Sequence, residues 1–452
     1  MSLIQRDGLR VVIGLGKTGL SCVRYLKSRG YPVAVNDTRD NPPGLAELVA
    51  EYPDVEVSLG RLDESLLLRA REIVASPGIS INEPEILAAR NAGIPVAGDI
   101  ELFVRDVKAP IVAITGSNAK STVTTLVGLM ARNAGIDVGV GGNLGTPVLD
   151  MLRAGEQALY VLELSSFQLE TTHSLRAAVA VVLNISEDHM DRYKNMGEYH
   201  QAKHRVFRHC QQYVVNRDDP LTVPLLPETV KRWSFGLSKP DLNEFGVIVD
   251  GGDKYLAQGL KKLMKVSEMK IVGDHNVANA LAALALGAAV SLPMDVMLDT
   301  LRTFPGLKHR CQLIFSKNDI GWYNDSKGTN VGSTLAAIKG LGAAIKGKII
   351  LIAGGVGKGQ DFSPLSQPLG QFGKVLVLIG EDGPKIDADV TASIEKVYAR
   401  TLVEAIEKSR DLAAPGDAVL LSPACASFDM FKHYEDRGDQ FVAGVNAVVG
   451  AA

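Results

Sequence analysis

Short apolar runs alternate with amphipathic stretches along the chain. Leu9–Ile13 and Pro32–Asn36 read as strands on either side of a helix over about 19–29, and pieces such as Glu72–Gly78 and Asn91–Val96 continue the pattern. A second block opens with a strand at Ile111 and continues with strands at Ala158–Leu164 and Ala178–Asn184 and a helix around 199–209. A more polar, β-like stretch covers about 212–272, and an Ala-rich helix from His275 to about Val290 closes the block before Pro305-Gly306. A third block has strands at Lys348–Ala353, Val375–Ile379 and Asp417–Leu421 with helices between them. Buried strands alternating with helices predict an α/β fold with mostly parallel sheets in each block. The expected domains are 1–98, 99–306 and 307–452, and 452 residues suit about three domains.

Composition narrows the function classes. The chain is 46% hydrophobic and 22% charged with 45 glycines, as expected of a globular α/β protein with large cores. A net charge of −3 without a concentrated Lys/Arg stretch argues against a nucleic-acid partner. Cys22, Cys210, Cys311 and Cys425 are far apart and read as reduced, mostly buried thiols. No apolar stretch is long enough for a membrane span, and no signal core follows basic residues at the start, so a cytoplasmic protein is expected.

Residues 114–122 read Ile-Thr-Gly-Ser-Asn-Ala-Lys-Ser-Thr, after an apolar strand and before a helix-forming stretch. This is the layout of a nucleotide-phosphate loop. Backbone N–H groups at the helix start face the anion, Lys120 reaches the β/γ-phosphates, and Ser121 or Thr122 reaches Mg²⁺. The strict pattern has glycine where this chain has Ile114 and Ala119, so a polar turn capping an ordinary helix is the competing reading. A second glycine signature, Gly14-Leu-Gly-Lys-Thr-Gly19, precedes a strand that ends at Asp37. It fits a dinucleotide fingerprint, another nucleotide ligand, or a packing turn. Glu163 ends an apolar strand, where an unpartnered buried carboxylate is costly and a Mg²⁺ ligand accounts for it better than an ion pair.

Several motifs together resemble the Mur ligases, the ATP-dependent amide-forming enzymes of peptidoglycan precursor synthesis. Thr115–Thr122 is similar to their phosphate loop, Glu163-Leu-Ser-Ser-Phe-Gln168 to their acidic strand end, and Asn184-Ile-Ser-Glu-Asp-His-Met-Asp191 to their His-containing loop. Gly273–Asn279 is similar to their Asn-containing helix start, and His309-Arg310 with Asn324–Asn330 to the ATP contacts of their C-terminal domain. The likeness runs through all three blocks in order. Within the family, Gly14–Gly19 and Leu421–Phe431 are similar to the D-glutamate-adding member, and the Asp-Asn-Pro-Arg signature of the diaminopimelate-adding relative is absent.

The resemblance implies a Rossmann-like first domain, a P-loop ATPase-like second and a Rossmann-like third. It implies ATP contacts from Gly116, Ser117, Asn118, Ala119, Lys120, Ser121, Thr122, Asn276, Asn279, Arg310, Asp325 and Lys327. A UDP-sugar substrate, UDP-N-acetylmuramoyl-L-alanine, would meet Gly14, Leu15, Gly16, Lys17, Thr18, Asp37, Thr38, Arg39, Asn143 and Ser165, which makes UDP rather than NAD the ligand of the first glycine turn. D-Glutamate would meet Thr329, Lys358, Ser427 and Phe428, and the alternative for Lys358 is an ATP-phosphate lysine on a second glycine loop. Ser427 and Phe428 follow the carboxyl end of a strand, where open α/β sheets bind ligands. Lys120, Glu163, His189 and Lys203 are the expected catalytic set. Ser121, Thr122, Glu163, His189 and Lys203 would hold two Mg²⁺ ions, with Lys203 as a carbamate derived from CO₂. From spacing alone Lys203 reads as a solvated helix lysine, and Asn143 as a turn residue. The partners are small-molecule substrates, and a monomer is expected. An NAD-linked dehydrogenase or a non-catalytic nucleotide-binding regulator would leave parts of this set unexplained.

Overall fold

In the computed structural model, residues 8–242, 244–271 and 273–450 are described, and they form three sheets in chain order. The first sheet is wholly parallel. It contains β1 (Arg10–Ile13), β2 (Val33–Asn36), β3 (Glu56–Ser58), β4 (Glu72–Ala75) and β5 (Val96–Ala97), in the order β3-β2-β1-β4-β5. The chain therefore reverses direction of winding at β1, and the crevice beyond its carboxyl end receives the glycine turn. That turn is sterically enforced, since a Cβ on Gly19 would stand 1.8 Å from the carbonyl oxygen of Gly14.

The second sheet contains β6 (Ile111–Thr115), β7 (Val138–Gly142), β8 (Leu159–Glu163), β9 (Val179–Val182), β10 (Gln212–Asn216) and β11 (Lys231–Phe235). It is extended by β12 (Phe245–Asp250), β13 (Asp253–Gln258) and β14 (Lys261–Lys265), in the order β14-β13-β12-β11-β10-β9-β6-β8-β7. Here β6 is flanked by β8 and β9, so the phosphate loop leaves the sheet at its switch point. The Ala-rich helix Asp274–Ala289 packs on the helix Lys120–Asn133, and both pack on the sheet through one apolar cluster that includes Val112, Leu126, Met130, Val181 and Leu284.

The third sheet contains β15 (Gln312–Lys317), β16 (Ile320–Asn324), β17 (Ile349–Gly354), β18 (Gly373–Ile379), β19 (Glu395–Tyr398) and β20 (Ala418–Leu421), in the order β15-β16-β20-β17-β18-β19. Two regions depart from the parallel pattern. β12–β13–β14 and β15–β16 are antiparallel, because no helix intervenes to carry the chain back. Their turns carry the positive φ that tight hairpins need: Gly251 (58°) and Gly252 (87°), Gly259 (55°), and Asn318 (54°) with Asp319 (60°).

Candidate active site

The phosphate loop is pinned from behind by the loop that follows β9. Ser117 N–H donates to the Asn184 carbonyl at 2.9 Å, Asn118 N–H to the Asn184 side-chain oxygen at 2.8 Å, and the Ser117 hydroxyl to the Ser186 carbonyl at 2.9 Å. The helix Lys120–Asn133 begins without a side-chain cap, which leaves its first N–H groups facing the loop's concave side, the arrangement that attracts phosphate. Ala119, at the cap position, has φ 67°, a left-handed conformation that glycine adopts without strain. The chain therefore keeps the backbone shape that a glycine would give, with a methyl in its place.

Lys120 folds over this loop, its Nζ donating to the carbonyls of Gly116 (2.8 Å) and Ser117 (2.9 Å). Lys203 reaches the same Gly116 carbonyl at 2.8 Å and lies 4.5 Å over the ring of Tyr199. Lys203 is buried, not solvated, so spacing alone misreads it. Burial, reinforced by Lys120, pushes its ammonium well below the usual lysine range. Burial also lowers Lys120, although Glu163 and Asp188 oppose the shift.

Glu163 stands at the carboxyl end of β8, buried, with Oε1 accepting from Asn143 Nδ2 at 2.8 Å. Its Oε2 is buried without a hydrogen-bond partner. Burial would raise this carboxyl, but Lys120, Asn143 and Lys327 together hold it below its ordinary value, so it is an anion. A buried anionic oxygen with nothing to bond is a place for a cation. Beside it, at the end of β7, Gly142 (φ 97°) presses so close that a Cβ would stand 2.2 Å from the Glu163 carbonyl oxygen.

His189 follows on the next loop with φ 59°. Burial pushes its imidazole down to about 4, so it is neutral and offers a lone pair. Its ring meets that of Phe167 edge-on with centroids 4.8 Å apart. Asp188 beside it is tied to the third domain, accepting from Lys358 Nζ (3.1 Å) and Asn330 Nδ2 (3.1 Å). Lys327 crosses the same cleft to donate to Ser121 Oγ at 2.8 Å, its ammonium lowered to about 8 by burial and by Arg310.

Two cavities flank this centre. One, of about 320 Å³, lies between the second and third domains, and its lining includes Asn118, Ala119, Thr122, Asn276, Asn279, Arg310 and Asp325. The polar residues among them meet apolar walls from Leu183, Phe235 and Ile271. Buried Asp325 is pushed up to about 6, while it accepts from Ser422 Oγ (2.7 Å) and the Cys311 N–H (3.1 Å). The other cavity, of about 560 Å³, lies between the first and second domains, with Gly14, Gly16, Lys17, Thr18, Arg39 and Asn143 in its lining.

The remaining expected residues differ in exposure. Leu15 is wholly buried. Asp37 uses both carboxylate oxygens inside the protein, on Leu15 N–H (2.6 Å) and on Arg39. Ser165 caps the helix Ser166–Glu170, and neither it nor exposed Thr38 is part of the cavity lining. Thr329 is half-buried and Ser427 is buried, but Phe428 is 74% exposed. A further aromatic ring at the centre is Tyr434, 5.2 Å beneath Lys327. Tyr434, Asp188, Asn330, His275 and Gln168 are the residues missed in the sequence. Asp188, Asn330, His275 and Gln168 lie inside motifs already singled out, whereas no local pattern marks Tyr434.

Comparison with known proteins agrees with this architecture. Residues 9–98 match the Mur ligase MurD-like N-terminal domain, 114–287 the Mur ligase middle domain, and 309–425 the Mur ligase glutamate ligase domain. A UDP-N-acetylmuramoylalanine–D-glutamate ligase of Pseudomonas fluorescens is 58% identical over 445 residues, covering 98% of this chain and 99% of the relative. One of the same name from Acinetobacter baylyi is 56% identical over 451 residues, covering 99% and 100%. Among solved structures, MurF from Thermotoga maritima in complex with ADP shares the fold at a TM-score of 0.62 and 14% identity, covering 99% of this chain and 96% of that one. UDP-N-acetylmuramate-alanine ligase MurC from the same organism does so at 0.60 and 18%, covering 98% and 100%. With all three domains matched in order, the chain belongs to the Mur ligase family.

Proposed function

We propose that the chain is an ATP-dependent carboxylate–amine ligase that joins D-glutamate to UDP-N-acetylmuramoyl-L-alanine in peptidoglycan precursor synthesis. The observation that carries the chemistry is the position of Glu163. Its Oε1 is held by Asn143, from the lining of the larger cavity, and its partnerless Oε2 lies in the field of Lys120 and Lys327. The full-length likeness to D-glutamate ligases supports the choice of substrates.

A carboxylate is a poor acyl donor. The L-alanine carboxylate oxygen would attack the γ-phosphorus of ATP, releasing ADP and leaving an acyl phosphate. The D-glutamate amine would then attack the acyl carbon, and phosphate would leave. Both steps gather negative charge on oxygen, so positioning and fixed positive charge should supply most of the rate. In this reading the smaller cavity takes the nucleotide. The open helix start and Lys120 hold the phosphates, and Lys120 trades its loop carbonyls for phosphate oxygens. Lys358, Thr329 and Ser427 hold the amino acid's carboxylates, with Asp188 as the anion that Lys358 gives up.

A divalent cation fits the donor set. Glu163 Oε2 and the Ser121 and Thr122 hydroxyls are hard oxygen donors of the kind Mg²⁺ prefers. Among the described residues no three His, Cys, Asp or Glu side chains converge as a ready-made metal cluster, so nucleotide oxygens would complete the shell. When bound, Mg²⁺ supplies positive charge against the phosphoryl oxygens. A second ion beside His189 and a carbamate on Lys203 belong to the same reading, as does a monomer working in the cytoplasm. A neutral buried amine is the form that adds CO₂, and the burial of Lys203 favours that form. Among the described residues no helix is long and apolar enough to cross a membrane.

The deciding experiment incubates the protein with ATP, Mg²⁺, the UDP-sugar and either D- or L-glutamate, and measures phosphate release. Release is expected only when the UDP-sugar and D-glutamate are both present. Release independent of the acceptor, or thermal stabilisation by NAD and not by the UDP-sugar, would overturn the reading.

A further inference from the structure

Arg192 performs no step in the chemistry above, yet its guanidinium joins two domains. Its Nη1 donates to the Pro77 carbonyl at 3.2 Å, and its Nη2 to the Ile79 carbonyl at 3.0 Å and to Glu170 Oε2 at 3.2 Å. The plane lies 4.1 Å over the ring of Phe167, and both charged side chains are largely buried. Ser76, Pro77, Gly78 and Ile79, the turn after β4, all lie in the wall of the 560 Å³ cavity. Ser76 Oγ in turn donates to the Gly14 carbonyl at 2.8 Å, which ties the turn to the glycine loop. On the other side, the Arg192 N–H donates to the His189 carbonyl, and the Phe167 ring that carries the guanidinium also meets the His189 ring edge-on.

We propose that Arg192 is a positioning residue that sets the UDP-sugar cavity in register with the His189 loop and the phosphate centre. The proposal rests on the reading of the 560 Å³ cavity as the UDP-sugar site. A fork of donors is needed to serve two carbonyls and a carboxylate at once while the plane stacks on a ring, and lysine offers neither the fork nor the plane. Without it, the Pro77–Ile79 carbonyls lose their anchor and one wall of the cavity loosens. The nucleotide cavity has no part in the contact.

The test compares Arg192→Lys and Arg192→Ala with the wild-type full-length enzyme. Calorimetry measures UDP-N-acetylmuramoyl-L-alanine without ATP, and separately ATP-Mg²⁺. Losing two charged hydrogen bonds should raise the UDP-sugar Kd at least about tenfold in both variants, while the ATP Kd stays within about threefold. The lysine variant keeps the positive charge beside Glu170, so it guards against simple misfolding in the alanine variant. A lower melting temperature with both Kd values unchanged would overturn the proposal and leave Arg192 a stability contact. Wild-type protein that binds the UDP-sugar, loses that binding on substitution, yet never turns over ATP would uphold the positioning role and sink the ligase reading alone.

Discussion

Lys120 and Lys203 lean on one acceptor: each Nζ lies 2.8 Å from the carbonyl oxygen of Gly116. Two ammonium groups cannot share a buried carbonyl comfortably, and burial already favours the neutral form of Lys203. If that amine works as a carbamate, Lys203→Ala should be nearly inactive, and formate or acetate should restore part of the rate by supplying an oxygen anion. Steady-state rates with and without added carboxylate check this. Full activity in the variant would remove Lys203 from the chemistry.

Lys120→Ala should lose most of the ATP-dependent rate, because the charge it removes matters more as the phosphoryl group moves. Phosphate-release assays at saturating substrates measure it. A variant within about threefold of wild type is the outcome that refutes the phosphate-loop role.

Lys358→Ala should raise the KM for D-glutamate by roughly 10- to 150-fold, the range expected for one charged hydrogen bond. The KM values for ATP and the UDP-sugar should stay near wild type. A rise in the ATP KM instead would give Lys358 to the nucleotide. The variant should also be less stable, because it leaves Asp188 buried beside His189 without its cation. That loss should appear as a lower melting temperature.

Asp99 gives a prediction about acidity. It is buried, with Oδ1 unpartnered and Oδ2 accepting from Gln168 Nε2 at 3.3 Å, and burial pushes its carboxyl up from the usual 3.8 to about 6. The folded protein thus binds this proton more tightly than the unfolded chain. The resulting stability is fully present below about pH 4 and is lost as pH rises through 6. The gap is worth up to about 3 kcal/mol. Asp99→Asn should therefore gain stability over wild type at pH 7.5, and the difference should shrink towards pH 4.5. Denaturant unfolding at the two pH values would show it, and a constant difference would contradict it.

At the phosphate loop the expected order of thermal stability is Ala119→Gly at or above wild type, and wild type above Ala119→Val. Glycine relieves a left-handed φ of 67° at the cost of a more flexible unfolded chain and a small apolar contact. Valine adds a β-branch where the backbone tolerates it least. Melting curves of the three proteins test the order.

The features legible in the sequence were those encoded locally. The phosphate loop, the carboxylate closing β8 and the glycine turn after β1 each lie within a few residues of a strand end, so periodicity and turn chemistry locate them. The antiparallel β15–β16 pair was less visible, because its Asn318-Asp319 turn lacks the glycine that usually signals such a hairpin. Contacts between domains left no local trace. Asp188 and Lys358 are 170 positions apart, and nothing near either one announces the other. The exposed Phe428, in the turn after β20, and the half-buried Tyr434, at the start of the helix Tyr434–Val445, show the same limit, since they are aromatic residues six positions apart and only packing distinguishes them.

The crowding of Gly142 against the Glu163 carbonyl carries a consequence for inhibition. Any side chain at position 142 would collide with main-chain oxygen, and the φ of 97° penalises every L-residue there even without that collision. An inhibitor seated on this stretch of backbone would therefore touch a surface that point mutation has little means to reshape. Resistance would have to arise farther out, among residues free to vary, where each change removes less of the inhibitor's hold.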